Sequence, residues 1–548
     1  MKILKASDHG ICPEQEITAQ LYNLIDAAKK EPGKKTICFE KGTYYIDSEK
    51  CRKYMLHITN TVGDSEFSPD ETPHINGVPF YFGDMKDLTF DGGGASFVID
   101  GKVTNAAVVC CPNITLKNFE IRHAHPDMHM LEVLRVTPFY VDFEIDRDTQ
   151  YRIQNNKLYF YGRNYTVAAD KNAPNAFWIG LIRAKTPEKI QRVSHPLFGA
   201  LKITQRAGRC IRVHFTNTLR FRKGDCYHIF DVRRQFAGIF IDRSENVVLE
   251  NIRQRFNYSL ALVAQDSENI AMRGCEFAPG KGSARKMASV ADFIQVCMCR
   301  GKFTAENNLF DGAGDDCMNV HGVHYKIVKK DGSQLTLRYM HPQTHGFNPL
   351  RTGDTVAFID PKSMLETGKA TITSSKLLNE YELQITVDTP GRAPAGAVIE
   401  DISACPDVVF RNNTLTRIIT RGLLLTTRGD VLIENNRFIS TTMSGILLSD
   451  DAKSWYESGM CRNVRILNNT FDYCGQTPVL IKPENTVHKG PVHKNIEVSH
   501  NVFQKYSGYC VQAKSTDNIL LNGNRYNSSK IIKQSDCTNV RVIKKNDS

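Results

Sequence analysis

VLIENNRF, residues 431–438, is the stretch on which the fold of this 548-residue chain turns. Apolar residues lead to a polar one, two asparagines follow, and an aromatic residue closes the phrase. Close variants read VVFRNNTL from Val408, VRILNNTF from Val464, IEVSHNVF from Ile496 and ILLNGNRY from Ile519. Looser ones read LTFDGGGASFVIDG from Leu88, ITLKNFEI from Ile114, VVLENIRQ from Val247 and IAMRGCEF from Ile270. The asparagines at the sixth position of these phrases, Asn413, Asn436, Asn469, Asn501 and Asn524, are separated by 23, 33, 32 and 23 residues. A unit with a minimum near 23 residues and tolerated insertions is the signature of a solenoid coil. One such coil cannot bury its inward face alone, so coils stack at about 4.8 Å and the Val, Ile, Leu and Phe of one cover the next. Asparagine suits the turn because it accepts a left-handed backbone and hydrogen-bonds to its equivalents above and below. A leucine-rich repeat would need an LxxLxL frame and a propeller its Trp signatures, and neither is present. The expected fold is therefore all-β, a right-handed parallel β-helix.

Around this series the chain is punctuated. Residues 14–30, EQEITAQLYNLIDAAKK, carry Ile17, Leu21, Leu24, Ile25 and Ala28 at helical spacing, which predicts a helix that plugs the open end of the solenoid. Two stretches lose the repeat and read as short strands with charged turns, including RFRKGDCYHIFD in one and PLRTGDTVAFID in the other. They predict two small antiparallel β-barrels inserted into solenoid loops, whose simplest role is to wall a cleft or to form a contact between two copies. The expected organisation is a helix cap and first coils over 1–130, a first barrel over 131–232, central coils over 233–323, a second barrel over 324–402 and last coils over 403–548.

Composition narrows the function classes. The net charge of +11, from 70 Lys and Arg against 59 Asp and Glu, is spread without a basic run and is no nucleic-acid footprint. No window has the apolar length of a membrane span. The opening MKILKASDHGICPEQEITAQ lacks the apolar core of a secretory signal, so the chain as written reads as cytoplasmic or as exported with its signal removed, and its compartment stays open. The sixteen cysteines include the neighbours Cys110 and Cys111 and the alternating Cys297 and Cys299, without regular CxxC pairs. They read as buried free thiols, not as disulfides or metal ligands.

The chemistry concentrates in FDGAGDDCMNVHGVHY, residues 310–325. Adjacent acids repel, and the glycines before Asp315 and Asp316 let the backbone kink so that both carboxylates reach one cleft. Stacked coils turn sequence offset into position, and one coil back from this pair lies Asp292 in ASVADFIQ. Facing inward among its apolar neighbours it would be unpaired and costly; facing outward it completes a cluster of three carboxylates. Such a cluster cannot be fully ionised without strain, so at least one member should hold a proton near neutrality. An acid to protonate a leaving oxygen and a base to activate water are the minimal equipment for glycoside hydrolysis.

GAGDDCMNVHG, with RKMASVADFIQ upstream and TTRGDVLIENNRF and SDDAKSWYESG downstream, resembles glycoside hydrolase family 110, the α-1,3-galactosidases, over nearly the whole chain. The acidic trio is also similar to that of the family 28 polygalacturonases. The resemblance implies a parallel β-helix with inserted barrels that releases terminal α-1,3-linked galactose from blood-group-B-like or linear glycans with inversion. No cofactor and no metal are implied. It also implies Asp315 as general acid, with Asp292 and Asp316 positioning and deprotonating the attacking water.

Further substrate-binding candidates are Asn319 and His321, which could bond sugar hydroxyls or stabilise the turn, and Trp455, suited to stacking on a sugar face or to packing. Asp450, Glu457, Arg285 and Arg428 complete the set. Two rival readings remain, a polygalacturonase-like hydrolase of an acidic polysaccharide and a non-catalytic glycan-binding β-helix. A cleft lined with several Lys and Arg would favour the first.

Overall fold

The computed structural model describes residues 1–61, 74–169, 179–230, 233–389 and 396–543. Its body is a parallel β-helix with three faces. Along the first lie Glu245–Gln254, Glu268–Arg273, Arg300–Glu306, Asp407–Arg411, Asp430–Glu434 and Asn463–Leu467; along the second, Glu276–Phe277, Leu309–Asp311, Thr414–Ile418 and Arg437–Thr441. The third carries Phe80–Gly83, Ala106–Val109, Ala237–Asp242, Leu260–Gln265, Ile294–Cys297, the start of Met318–Asp331, and Leu423–Thr426. Successive coils pair in parallel, as in Val408↔Val431↔Val464↔Ile496↔Ile519.

The repeated phrase explains why the coils stack in one register. In NN, HN or GN, the first residue turns the chain: Asn307, Asn412, Asn435, Asn468, His500 and Gly523 all have φ between 55° and 61°. The second residue points inward and builds a ladder. Asn436 Nδ2 donates to Asn469 Oδ1 at 2.9 Å, while Asn436 Oδ1 accepts the Asn413 backbone N–H at 2.8 Å and its side-chain amide at 3.1 Å. The same bonds link Asn308 to Asn413, Asn469 to Asn501 and Asn501 to Asn524. Left-handed turn and stacking amide are thus separate jobs held by neighbouring residues. Beside the ladder, Phe438, Phe471, Phe503 and Tyr526 stack at 4.7, 4.9 and 5.9 Å between centroids. A one-residue slip in any coil would break the ladder and the stack together.

The helix Thr18–Lys30 closes one end, burying Leu21, Leu24, Ile25 and Ala28 in the core shared with the first coils. All sixteen cysteines are free thiols, nine of them buried. No described helix is long and apolar enough to cross a membrane.

Two antiparallel inserts interrupt the solenoid. In the first, Met128–Val136, Tyr140–Ile145, Ile179–Ile182, Gln191–Val193, Lys202–Gln205, Cys210–His214 and Cys226–Phe230 form one sheet. A three-stranded sheet, Gln150–Gln154 with Lys157–Gly162 and Tyr165–Ala168, helps enclose its core around Val141, Phe143, Phe160 and Ile211. The second grows directly out of the third face. Met318–Asp331 begins as a solenoid strand, then closes a six-stranded barrel with Gln334–Arg338, Glu382–Val387, Leu365–Asn379, Thr355–Asp360 and Val398–Asp401. That shared strand leaves the acidic turn on its way into the barrel, so the barrel stands beside whatever the turn presents.

Candidate active site

Each coil passes from the second to the third face through a tight turn, and three successive turns make the site. Ile294 pairs with Met318, and Met318 with Leu423. Counting back two residues from each aligns Asp292, Asp316 and Arg421 in one column, so the coil step that matters is 24 residues. Isolated bridges Asn257↔Ser289↔Ala313 hold the turns in register. Glycine is required here by contact: a Cβ on Gly314 would lie 2.1 Å from the Val290 carbonyl oxygen, and one on Gly312, at φ 82°, 2.4 Å from Met287 Cα. The acidic turn therefore rests directly on the backbone of the coil below.

The three carboxylates are brought together and differently held. Asp292 Oδ1 accepts the Asp316 backbone N–H at 3.1 Å, and its Oδ2 accepts Asn60 Nδ2 at 3.1 Å. Asp316 Oδ1 accepts the Arg421 backbone N–H at 3.0 Å and its Nε–H at 2.9 Å. Asp315 is paired with Arg234, whose other terminal nitrogen donates to Asn60 Oδ1 at 2.9 Å. The Thr420 hydroxyl lies 2.5 Å from Asp316 Oδ1 and 3.1 Å from Asp315 Oδ1. A hydroxyl has one proton, so it can donate to only one of them at a time.

Burial, then the charge of Asp315, pushes the Asp292 carboxyl well above the ordinary carboxylate range against the pull of Arg234. Burial and Asp315 raise Asp316 as well, against the opposing charge of Arg421. At least one proton is therefore held within the acidic cluster, whose members titrate together.

These groups line a cleft of about 310 Å³ together with Asn60, Asn319, Leu424, Leu447, Ser449, Asp451, Ser454, Trp455, Glu457 and Glu484. A larger groove of about 550 Å³ runs along the first face between residues such as Val409, Leu432, Arg465 and Glu497, away from the acidic turns. Asn319 donates to Glu457 Oε1 at 2.9 Å, which fixes that carboxylate at the wall. Trp455, 48% exposed, stacks on His341 at 4.3 Å between centroids and forms an aromatic rim.

Residues 334–402 match the model described as GLAA-B beta-barrel domain II, and 394–540 match the right handed beta helix region. Alpha-1,3-galactosidase A of Bacteroides thetaiotaomicron is 34% identical over 94% of this chain and 90% of its own length. The chain belongs to the alpha-1,3-galactosidase family. Another alpha-1,3-galactosidase A, of Streptomyces avermitilis, is 32% identical over 95% of this chain and 87% of its own. Alpha-1,3-galactosidase B of B. thetaiotaomicron is 28% identical over 95% and 86%.

Within this alpha-1,3-galactosidase-family chain, the structure puts Asp292, Asp315, Asp316, Asn319, Trp455 and Glu457 on one cleft and sends the other expected contacts elsewhere. His321 is 3% exposed behind Glu457, 3.7 Å from it, and so positions the wall instead of lining it. Asp450 is fully buried and bonded to His324 at 2.9 Å; its neighbour Asp451 is the one that reaches the cleft. Adjacent residues alternate in direction, and sequence alone did not say which of the two faced out. Arg428 clamps Glu400 and Glu366, tying the second barrel to the solenoid. Arg285 is spent on Asp148 of the first insert at 3.1 Å. Both arginines serve joints between inserts and body. The residues missed by sequence reasoning are Asn60, Arg234, Thr420, Arg421, Asp451 and Glu484. Thr420 and Arg421 had a signal: TRGLLL stands one coil beyond GDDCMNV, but the inserted barrel stretches that step to 105 residues.

Proposed function

We propose that this chain hydrolyses terminal α-1,3-linked galactose from glycans with inversion of configuration. The observation that carries the reading is the column of Asp292, Asp316 and Arg421 with Asp315 at its side, in a small cleft of an alpha-1,3-galactosidase-family chain. Asp315 is 8% exposed against 2% for Asp292 and 1% for Asp316, which suits it to reach the glycosidic oxygen as general acid. Asp292 and Asp316, stacked one coil apart, position the water and take its proton. Inversion is what the family resemblance implies and not what the spacing supplies: Asp315 Oδ1 and Asp316 Oδ1 both lie within 3.1 Å of the Thr420 hydroxyl, closer together than the about 6.5–9.5 Å usual for an inverting pair. Asn319, Glu457 and Asp451 offer acceptors and donors for hydroxyls, and Trp455 offers a face for the sugar ring.

The cleft volume, near the low end of the roughly 300–1,000 Å³ usual for ligand sites, supports an exo-acting enzyme that admits one terminal sugar. Its charge speaks against an acidic polysaccharide. Arg234 and Arg421, the only basic residues on its lining among the described residues, are already engaged by Asp315 and Asp316, while Asp451, Glu457 and Glu484 add negative charge. Blood-group-B-like and linear α-galactosyl glycans are both candidate substrates, separated by room for a fucose branch beside the cleft. A contact between two copies fits the first insert, where Phe139, Phe198, Leu201 and Leu219 are exposed.

Incubation with an α-1,3-linked galactosyl disaccharide and assay of free galactose tests the activity, with Asp315→Asn as control. No release by the wild type removes the hydrolase in favour of a binding protein. Release unchanged by the substitution removes the site.

A further inference from the structure

Three of the sixteen histidines converge at one point outside the cleft. His57 and His74 flank a hairpin in which Met55 pairs with Ile75, closed by the Leu56 N–H to the His74 carbonyl at 2.8 Å. His345 comes from the second barrel, in the loop after Gln334–Arg338. One ring nitrogen from each of the three lies within 4.8 Å of the others. Ring centroids are 4.4 Å apart for His57 and His74, 5.1 Å for His74 and His345, and 5.9 Å for His57 and His345. His74 and His345 are 8% and 4% exposed, so two of the three imidazoles are removed from bulk water.

The surroundings are shaped for this convergence. Gly346, at φ 85°, has its Cβ position 2.1 Å from His57 Nδ1, so only glycine lets the His57 ring lie against that loop. Tyr381 stacks on His345 at 4.4 Å, and Glu380 Oε1 stands 4.0 Å from His57 Nε2. Two further bonds join the same segments, Asn60 N–H to the Gln343 carbonyl at 2.6 Å and Thr59 Oγ1 to Thr344 Oγ1 at 3.1 Å.

We propose that His57, His74 and His345 bind one divalent transition-metal ion of the zinc type, as a structural clip between the N-terminal hairpin and the second barrel. Three neutral imidazoles suit zinc, nickel or copper, whereas calcium and magnesium take oxygen ligands. Zinc holds imidazole nitrogen at about 2.0–2.1 Å, so the trio closes by roughly an ångström on binding, and Glu380 or water completes four-coordination. The clip would matter to the active site through the chain: Asn60, three residues after His57, is the residue that donates to Asp292 and accepts from Arg234. No step of the hydrolysis passes through the ion.

The test uses the full-length protein, stripped with a chelator and titrated with zinc chloride by calorimetry, with thermal unfolding alongside. The expected result is one equivalent bound and a zinc-dependent rise in Tm. His345→Ala and His57→Ala should each weaken binding by more than the roughly 10- to 100-fold that loss of an outer-shell partner costs. Absence of zinc binding to the wild type overturns the proposal, as does undiminished binding by either variant. Cobalt(II) on the wild type provides a readout independent of variant folding: intense visible bands of a tetrahedral site support the clip, and the pale spectrum of octahedral cobalt overturns it.

Discussion

Thr420→Val removes one hydroxyl from the carboxylate cluster and keeps the shape of the side chain. Thr420 is 3% exposed, does not line the cleft, and sits 2.5 Å from Asp316 Oδ1 and 3.1 Å from Asp315 Oδ1. A hydrogen bond to a charged group contributes about 1.5–3 kcal/mol. If the ionised base needs this bond in the transition state, then at about 1.4 kcal/mol per tenfold its loss lowers kcat by about 10- to 150-fold. KM should hardly move, because the hydroxyl does not meet the sugar. The bond also favours the ionised form of Asp316, so without it that carboxyl, already raised by burial, rises further. The limb of the kcat profile that reports deprotonation of the base should therefore shift to higher pH. The assay is steady-state galactose release from pH 4 to 9 for wild type and Thr420→Val. A kcat within about twofold of wild type, with the limb unmoved, would refute the idea that Thr420 tunes the pair.

Asp292→Asn and Asp316→Asn should each lower turnover by at least about 100-fold, the scale of lost acid or base assistance, and near-normal rates for either would reassign its role. Asn436→Ala leaves at least the Asn413 N–H and the Phe410 carbonyl without their buried partner, so unfolding should cost about 2–6 kcal/mol less; an unchanged Tm would contradict the ladder's role. Asp401, pushed up to about 7 by burial and then by Asp354, binds its proton more tightly in the folded state than in the unfolded one. Its contribution is therefore present below the ordinary value of 3.8 and is lost as pH rises through about 7. Measured by Tm, wild type should lose stability relative to Asp401→Asn over that window, and parallel curves would exclude it. If the first insert joins two copies, light scattering should give a dimer mass for the wild type and a lower mass for Phe139→Glu; a monomeric wild type removes the contact, and a dimeric variant moves it elsewhere.

The solenoid was legible because its physics is local and repeated: each NN phrase states its own turn and its own ladder rung. The acidic trio was legible for the same reason, since a fixed coil step converts the separation of Asp292 and Asp316 into adjacency. Thr420 and Arg421 belong to the same column yet were hidden, because an inserted barrel breaks the step that would have revealed them. Asn60 and Arg234 come from the N-terminal hairpin loop and from the return of the first insert, where no repeat carries position. The confusion of Asp450 with Asp451 has another cause. Which of two neighbouring acids faces out depends on the turn Asp451 itself builds, by accepting the backbone N–H groups of Lys453, Ser454 and Trp455. Arg285 and Arg428 looked available in sequence because their partners, Asp148, Glu366 and Glu400, lie in the inserts.

The most direct measurement is a proton NMR time course of wild-type enzyme acting on an α-1,3-linked galactosyl disaccharide. If a water held by Asp292 and Asp316 attacks while Asp315 protonates the leaving oxygen, β-galactose accumulates first and the α anomer follows only by mutarotation. First appearance of α-galactose, or no galactose at all, would contradict the assignment of the three stacked carboxylates.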